Sequence, residues 1–280
     1  MALIDLLLNL AGLLLWFNWR SAHLDRLAIS TPVTLAGTLR RAEPSRFKRW
    51  HFLATLAALL IARAWLYRQL GPLVDWTPSL RLGPIAVWFR SDYFSRSLAF
   101  SVLSFVSALG LFYLSLLLVS VVNAKSAEQE PLQRIVRLQL GRADSWPWFL
   151  KIILPLVSMI VFWLCIEPLL VRWEIVPAAA SFRHRFEQAG TLALGVYCFW
   201  KYLIVTVLAL YLLSSYVYLG NHPLWSFVAI TGKNLLTPLR FIPLRIGKID
   251  LAPFMVVALV LTLAEFAQRK LIMLYAKLPL

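Results

Sequence analysis

The sequence predicts an all-α fold: a polytopic transmembrane bundle of about six helices, arranged as three helical hairpins with amphipathic interfacial connections. Three observations predict it. Of 280 residues, 60% are hydrophobic and 15% charged; the mean hydropathy is +0.73; and apolar runs recur at the length of a bilayer core. Such a core is about 30 Å thick and takes roughly 20 apolar helical residues, because backbone polar groups there must be satisfied within the helix. Only short polar stretches separate the runs, so residues 1–280 are read as a single membrane domain without a separate soluble core.

The runs fall at 2–18, 52–70, 98–122, 149–171, 197–219 and 251–272. No Lys or Arg precedes the first run and no small-residue cleavage site follows it, which favours a membrane helix with an exported amino end over a cleaved signal peptide. Arg63 interrupts the second run. The last loses its clean apolar character at Glu265, but Glu265, Gln268 and Arg269 recur at helical spacing, so the helix is expected to continue with one polar stripe. Segment 74–96 sets Trp76, Trp88, Phe89, Tyr93 and Phe94 beside Arg81, Arg90 and Arg96, a mixture suited to lying along the membrane surface.

The formal charge of +15 is spread over the connections instead of lining one groove. That pattern fits anionic headgroups, worth about 1 kcal/mol per Lys or Arg near the surface, and argues against nucleic acid as a partner. The first connection is densest, with Arg20, Arg26, Arg40, Arg41, Arg46, Lys48 and Arg49. By the positive-inside tendency it is expected in the cytoplasm, with both termini outside.

Three connections, after the first, third and fifth runs, open on a proline: Pro32, Pro131 and Pro223. The first two end in Arg-Ala-acid, at Glu43 and Asp144, and the second and third share Asp-x-x-Pro, Asp144 to Pro147 and Asp250 to Pro253. The expectation is three copies of one helix–connection–helix unit, over 1–70, 98–171 and 197–272, with all three connections on one membrane face.

From Thr237 the third connection reads Thr-Pro-Leu-Arg-Phe-Ile-Pro-Leu-Arg-Ile-Gly-Lys-Ile-Asp-Leu-Ala-Pro, ending at Pro253. It resembles the YggT family of bacterial integral membrane proteins, whose repeated signature runs Pro-x-Arg-x-x-x-Pro and then Gly-Gly-x-Asp-x-x-Pro into a helix. The matching positions are Pro238, Arg240, Pro243, Gly247, Asp250 and Pro253; Lys248 replaces the second glycine. The second connection keeps Asp144 and Pro147 without the Pro-x-Arg core. The resemblance implies a non-enzymatic inner-membrane protein linked with osmotic or ion homeostasis, or with assembly and division, and it has three units where the family commonly has one or two.

Read without the family, Asp250 is placed to cap the last helix, with Pro253 in its first turn. Pro238 and Pro243 stop the preceding amphipathic helix, and Arg240, Arg245 and Lys248 fall at headgroup depth. An Arg240–Asp250 pair locking a partner-binding loop is the sharper alternative.

No catalytic, cofactor or metal constellation stands out. His23, His51, His184 and His222 are isolated, Cys165 and Cys198 lie inside apolar runs, and Ser104, Ser214 and Ser215 have no neighbouring His or Asp in sequence. The intramembrane charges are Arg63, Lys151, Glu167 and Lys201. Arg63 is the deepest; the other three lie near run ends, where they can snorkel, and Glu167 with Lys201 is an attractive pair between consecutive helices. An ion channel or transporter component is the second reading, a headgroup-modifying interfacial enzyme the third. Self-association or a membrane-protein partner fits either of the first two.

Overall fold

The computed structural model describes residues 2–28, 49–73, 76–83, 85–90, 93–124, 131–217, 220, 222–239, 245–246 and 249–276. The middle of the first connection, and with it the predicted Pro32 to Glu43 motif, lies outside these residues, as do Arg240, Pro243 and Gly247. The described chain is overwhelmingly helical: α1 (Ala2–Ala28), α2 (Arg49–Leu73), α3 (Phe94–Val122), α4 (Pro131–Leu140), α5 (Trp148–Arg172), α6 (Phe182–Tyr197), α7 (Trp200–Tyr216), α8 (Pro223–Leu235) and α9 (Ala252–Ala276). Its strands are two short pairs, β1 (Ser79–Leu82) with β2 (Ile85–Trp88), and β3 (Arg245–Ile246) with β4 (Ile249–Asp250).

Among the described residues, five segments are long and apolar enough to cross a membrane: Leu3–Ser21, Trp50–Gly71, Phe94–Val122, Trp148–Arg172 and Phe182–Tyr216. The chain is therefore a multi-pass, membrane-type helical protein. The predicted sixth, now α9, is 25 residues long but is not among the five. Backbone contacts divide the chain into two compact units, residues 1–80 with 88–109, and residues 81–87 with 110–280.

In the first unit α1 packs along α2. Ser97, Ser101 and Ser104 recur every three or four residues on α3 and are all buried; such small residues let helices approach closely without a hydrophobic drive. Ser101 Oγ donates to Leu60 O at 2.9 Å, tying α3 to α2. Segment 74–96 is only partly the surface stretch expected from its composition. Phe89 and Trp76 turn inward onto Phe100, with ring centres 5.5 Å and 6.3 Å away, while Trp88 and Tyr93 remain exposed.

In the second unit α5 pairs with α6, α7 with α8 and α9, and α4 with α8. Residues 182–196, read from sequence as part of a loop, belong to α6. Its mixed start, Phe182 to Gln188, hid the helix, but Ser181 caps it by accepting from His184 N–H at 3.3 Å. Between α6 and α7 the bonds tighten to i→i−3, from Cys198 N–H to Gly195 O and from Phe199 N–H to Val196 O, so the two helices are one segment with a single interruption. Outward faces are apolar: on α5, Ile153, Leu154, Val157, Val161 and Leu169 are exposed, an arrangement that suits lipid as solvent.

Candidate functional site: the joint between two interfacial connections

Pro131 opens α4 at the position where a missing N–H costs nothing, and Gly141, at φ 58°, ends it in the left-handed conformation that glycine adopts freely. Helical spacing then sorts the side chains. Gln133, Val136 and Leu140 are buried, whereas Arg134, Ile135 and Leu138 are exposed. Val136 and Leu140 join Val119 of α3 in one apolar cluster, with Leu203 of α7 and Phe227 of α8 packed against it.

The last turn of α3 carries the polar part of the joint. Ser120 and Asn123, three residues apart, are both buried and face two different connections. Asn123 Nδ2 donates to Thr231 Oγ1 of α8 at 2.9 Å. Asn123 Oδ1 accepts from Asn234 Nδ2 at 2.9 Å, and Asn123 O accepts from Gln133 Nε2 of α4 at 2.9 Å. One asparagine thus bonds both amphipathic helices. Ser120 Oγ donates to Asp144 Oδ1 and accepts from Lys151 Nζ at 2.7 Å. Asp144 also takes Arg137 Nε at 3.4 Å and Lys151 Nζ at 3.8 Å. Inside a protein of low dielectric such networks favour a unique packing; Gln133 Oε1 is buried in this joint without a hydrogen-bond partner among the described residues.

The predicted site residues fall as follows. Asp144 does not cap α5, whose flanking residue is Pro147 without a side-chain bond; it bridges α3, α4 and α5 instead. Pro147 and Pro238 are exposed, and Pro253 is buried in the first turn of α9. Asp250 sits in β4, its backbone opposite Arg245, and Leu251, not Asp250, immediately precedes α9. The second half of the family-like motif therefore coincides with the short β3–β4 pair that leads into α9.

The intramembrane charges are placed differently from the snorkelling expectation. Lys151, only 5% exposed, turns inward to Ser120 and Asp144. Glu167 is fully buried and lies 3.0 Å from Arg185, whereas Lys201 Nζ donates to Gln268 Oε1 of α9 at 3.0 Å. The expected Glu167–Lys201 pair is thus replaced by two separate partnerships; the signal for Arg185 was hidden with α6.

Arg63 is buried and each of its three guanidinium nitrogens is hydrogen-bonded. Its Nη1 donates to Asn9 Oδ1 at 2.7 Å, its Nη2 to Asp5 Oδ1 and Ser104 Oγ at 2.9 Å each, and its Nε to Tyr67 OH at 3.1 Å. Tyr67 OH also donates to Asp5 Oδ1, and the guanidinium carbon stands 5.4 Å from the Phe100 ring centre. Reading Asp5 and Asn9, one turn apart in the first apolar run, as a polar pair was the available signal that sequence reasoning missed.

No metal-holding group of His, Cys, Asp or Glu exists among the described residues. No family model, curated protein or solved structure matches the chain.

Proposed function

We infer that this chain is a non-enzymatic, multi-pass protein of the bacterial inner membrane, of YggT type, acting as a scaffold for assembly or ion homeostasis from its cytoplasmic connections. The observation that supports it is the Asn123 joint. Two amphipathic helices that each expose basic and apolar residues are bolted to the end of one spanning helix by buried side-chain bonds, giving a fixed platform at the lipid boundary. Arg134, Arg142 and Lys233 are exposed on it and supply the charge that anionic headgroups attract. α9 serves as the sixth span; of its polar stripe, Gln268 turns to protein through Lys201, while Glu265 and Arg269 are exposed and pair with each other.

The test is crosslinking followed by pull-down from native membranes with wild type, Asn123→Ala and Arg240→Ala. A partner captured by wild type and lost from both variants fits the scaffold; an unchanged set of captured proteins in both variants removes it.

Ion transport is the second reading, favoured by one observation: Glu167 is buried with neither carboxylate oxygen accepting a hydrogen bond. Against it, Arg63 and Lys151 are each tied to protein partners. Ion flux in proteoliposomes that disappears in Lys201→Met would put transport first.

A further inference from the structure

Buried polar groups are almost always hydrogen-bonded, so a cluster of exceptions asks for an occupant. Such a cluster lies in the α5–α6 hairpin. Glu167 and Gln188 are fully buried and Trp163 nearly so, yet Glu167 Oε1 and Oε2, Gln188 Oε1 and Nε2, and Trp163 Nε1 have no hydrogen-bond partner among the described residues. Arg185 Nε is at ion-pair distance, 3.0 Å from Glu167 Oε2, without donating to it in hydrogen-bond geometry.

Helical register gathers these groups. Trp163 and Glu167 are one turn apart on α5, and Arg185 and Gln188 are one turn apart on α6, so each pair shares a face. Residues 173–181 join the two helices into an antiparallel hairpin, and the Arg185–Glu167 contact sets its register. One turn further from the connecting loop, Gln188 comes level with the Trp163–Glu167 stretch. Deeper still the interface is apolar, with Leu192 and Ala193 fully buried.

We propose that Glu167, Gln188 and Trp163 form an internal water-binding site, entered from the α5–α6 loop past Arg185. The chemistry selects the ligand. The unmet groups include acceptors (the Glu167 oxygens and Gln188 Oε1) and donors (Gln188 Nε2 and Trp163 Nε1), and water is the smallest molecule that serves both. A cation would meet the Arg185 charge and leave both donors unmet; an anion would meet Glu167. Water with two to four polar partners is the usual resident of such a site, and Arg185, whose side chain is 35% exposed, stands between it and the outside. This inference goes beyond the scaffold reading and does not depend on it, since the Asn123 joint uses none of these residues.

The test is aqueous accessibility in reconstituted vesicles. In a Cys165→Ser, Cys198→Ser background, Gln188→Cys should react with a small cationic methanethiosulfonate at least tenfold faster than Leu192→Cys, because thiolate forms only where water reaches. Equal, slow reaction of both overturns the proposal. A second measurement avoids substitution at the site: in bilayers of ¹⁵N-tryptophan-labelled wild type, the Trp163 Nε1–H resonance, identified by its loss in Trp163→Phe, should receive magnetisation from water. Absence of that transfer overturns the proposal whatever the cysteine variants do.

Discussion

Asn123 Nδ2 meets Thr231 Oγ1 at 2.9 Å across 108 positions of sequence, so the end of the third helix and the middle of the eighth hold one another through side chains alone.

Replacing Asn123 by Ala should therefore cost more than one bond. Asn234 Nδ2 and Thr231 Oγ1 each lose a bond to Asn123, and a typical intramolecular hydrogen bond contributes about 0.5–1.5 kcal/mol. Thr231 keeps one bond, since its hydroxyl also donates to Phe227 O at 2.8 Å; Asn234→Ala alone should be the milder change. Thermal denaturation in detergent, with a disulfide trap between α4 and α8 as local readout, checks the order. Equal stability of wild type and Asn123→Ala would remove the joint from the account.

Arg63 offers a sharper contrast. Arg63→Met leaves Asp5 without its counter-charge, and Asp5→Asn does the same to the buried guanidinium, so each single change should destabilise by about 3–5 kcal/mol. The double variant Asp5→Asn with Arg63→Met removes both charges and should recover part of that loss. Unfolding titrations in mixed micelles measure it; a double variant as unstable as the sum of the singles would mean that the pair is not coupled.

Gly232 is a steric test of α8 against α7. A Cβ there would lie 2.6 Å from Tyr211 Cγ and 2.7 Å from Tyr211 Cβ, atoms too near the backbone to swing aside. Gly232→Ala should cost about 1–3 kcal/mol by overpacking, and Tyr211→Ala, which removes Cγ and the ring, should relieve some of it. Retention of wild-type melting in Gly232→Ala would show that the two helices separate freely.

The surface of α4 and its following turn predicts lipid preference. Reversing Arg134 and Arg142 to Glu should weaken binding of anionic lipid by about 1 kcal/mol per lost charge, roughly fivefold each, before counting the repulsion added. Retained-lipid counts in native mass spectrometry, comparing phosphatidylglycerol with phosphatidylcholine, give the readout. A variant that keeps its anionic lipid would assign those arginines to another role.

How far the sequence could be read follows from which forces are local. Span length is a local property, so α1, α2, α3, α5 and α7 were legible from apolar runs, as was the amphipathic opening of α4 at Pro131. The beginning of α6 was not, because Arg183, His184, Arg185 and Glu187 resemble a loop until Glu167 is known to face it. Charge partners were illegible for the same reason. Lys201 has Glu167 near it in sequence order but Gln268 near it in space, and no periodicity reports that choice. Asp144 was illegible in the same way: in sequence it is only the acid of an Asp-x-x-Pro match, whereas Ser120, Lys151 and Arg137 converge on it from elsewhere. The motif residues Arg240, Pro243 and Gly247 lie outside the described chain, so Asp250 opposite Arg245 is what the structure adds there.

The joined segment from Phe182 to Tyr216 carries a geometric consequence. At 1.5 Å per residue its 35 residues reach about 50 Å, while the oily slab they cross is about 30 Å thick. The surplus belongs at the start of α6, where Arg183 and Glu187 pair at 3.0 Å with the arginine almost fully open. That surplus predicts that the end of the α5–α6 hairpin carrying Arg183 reaches past the acyl chains, a foothold for an antibody, a protease or an affinity tag.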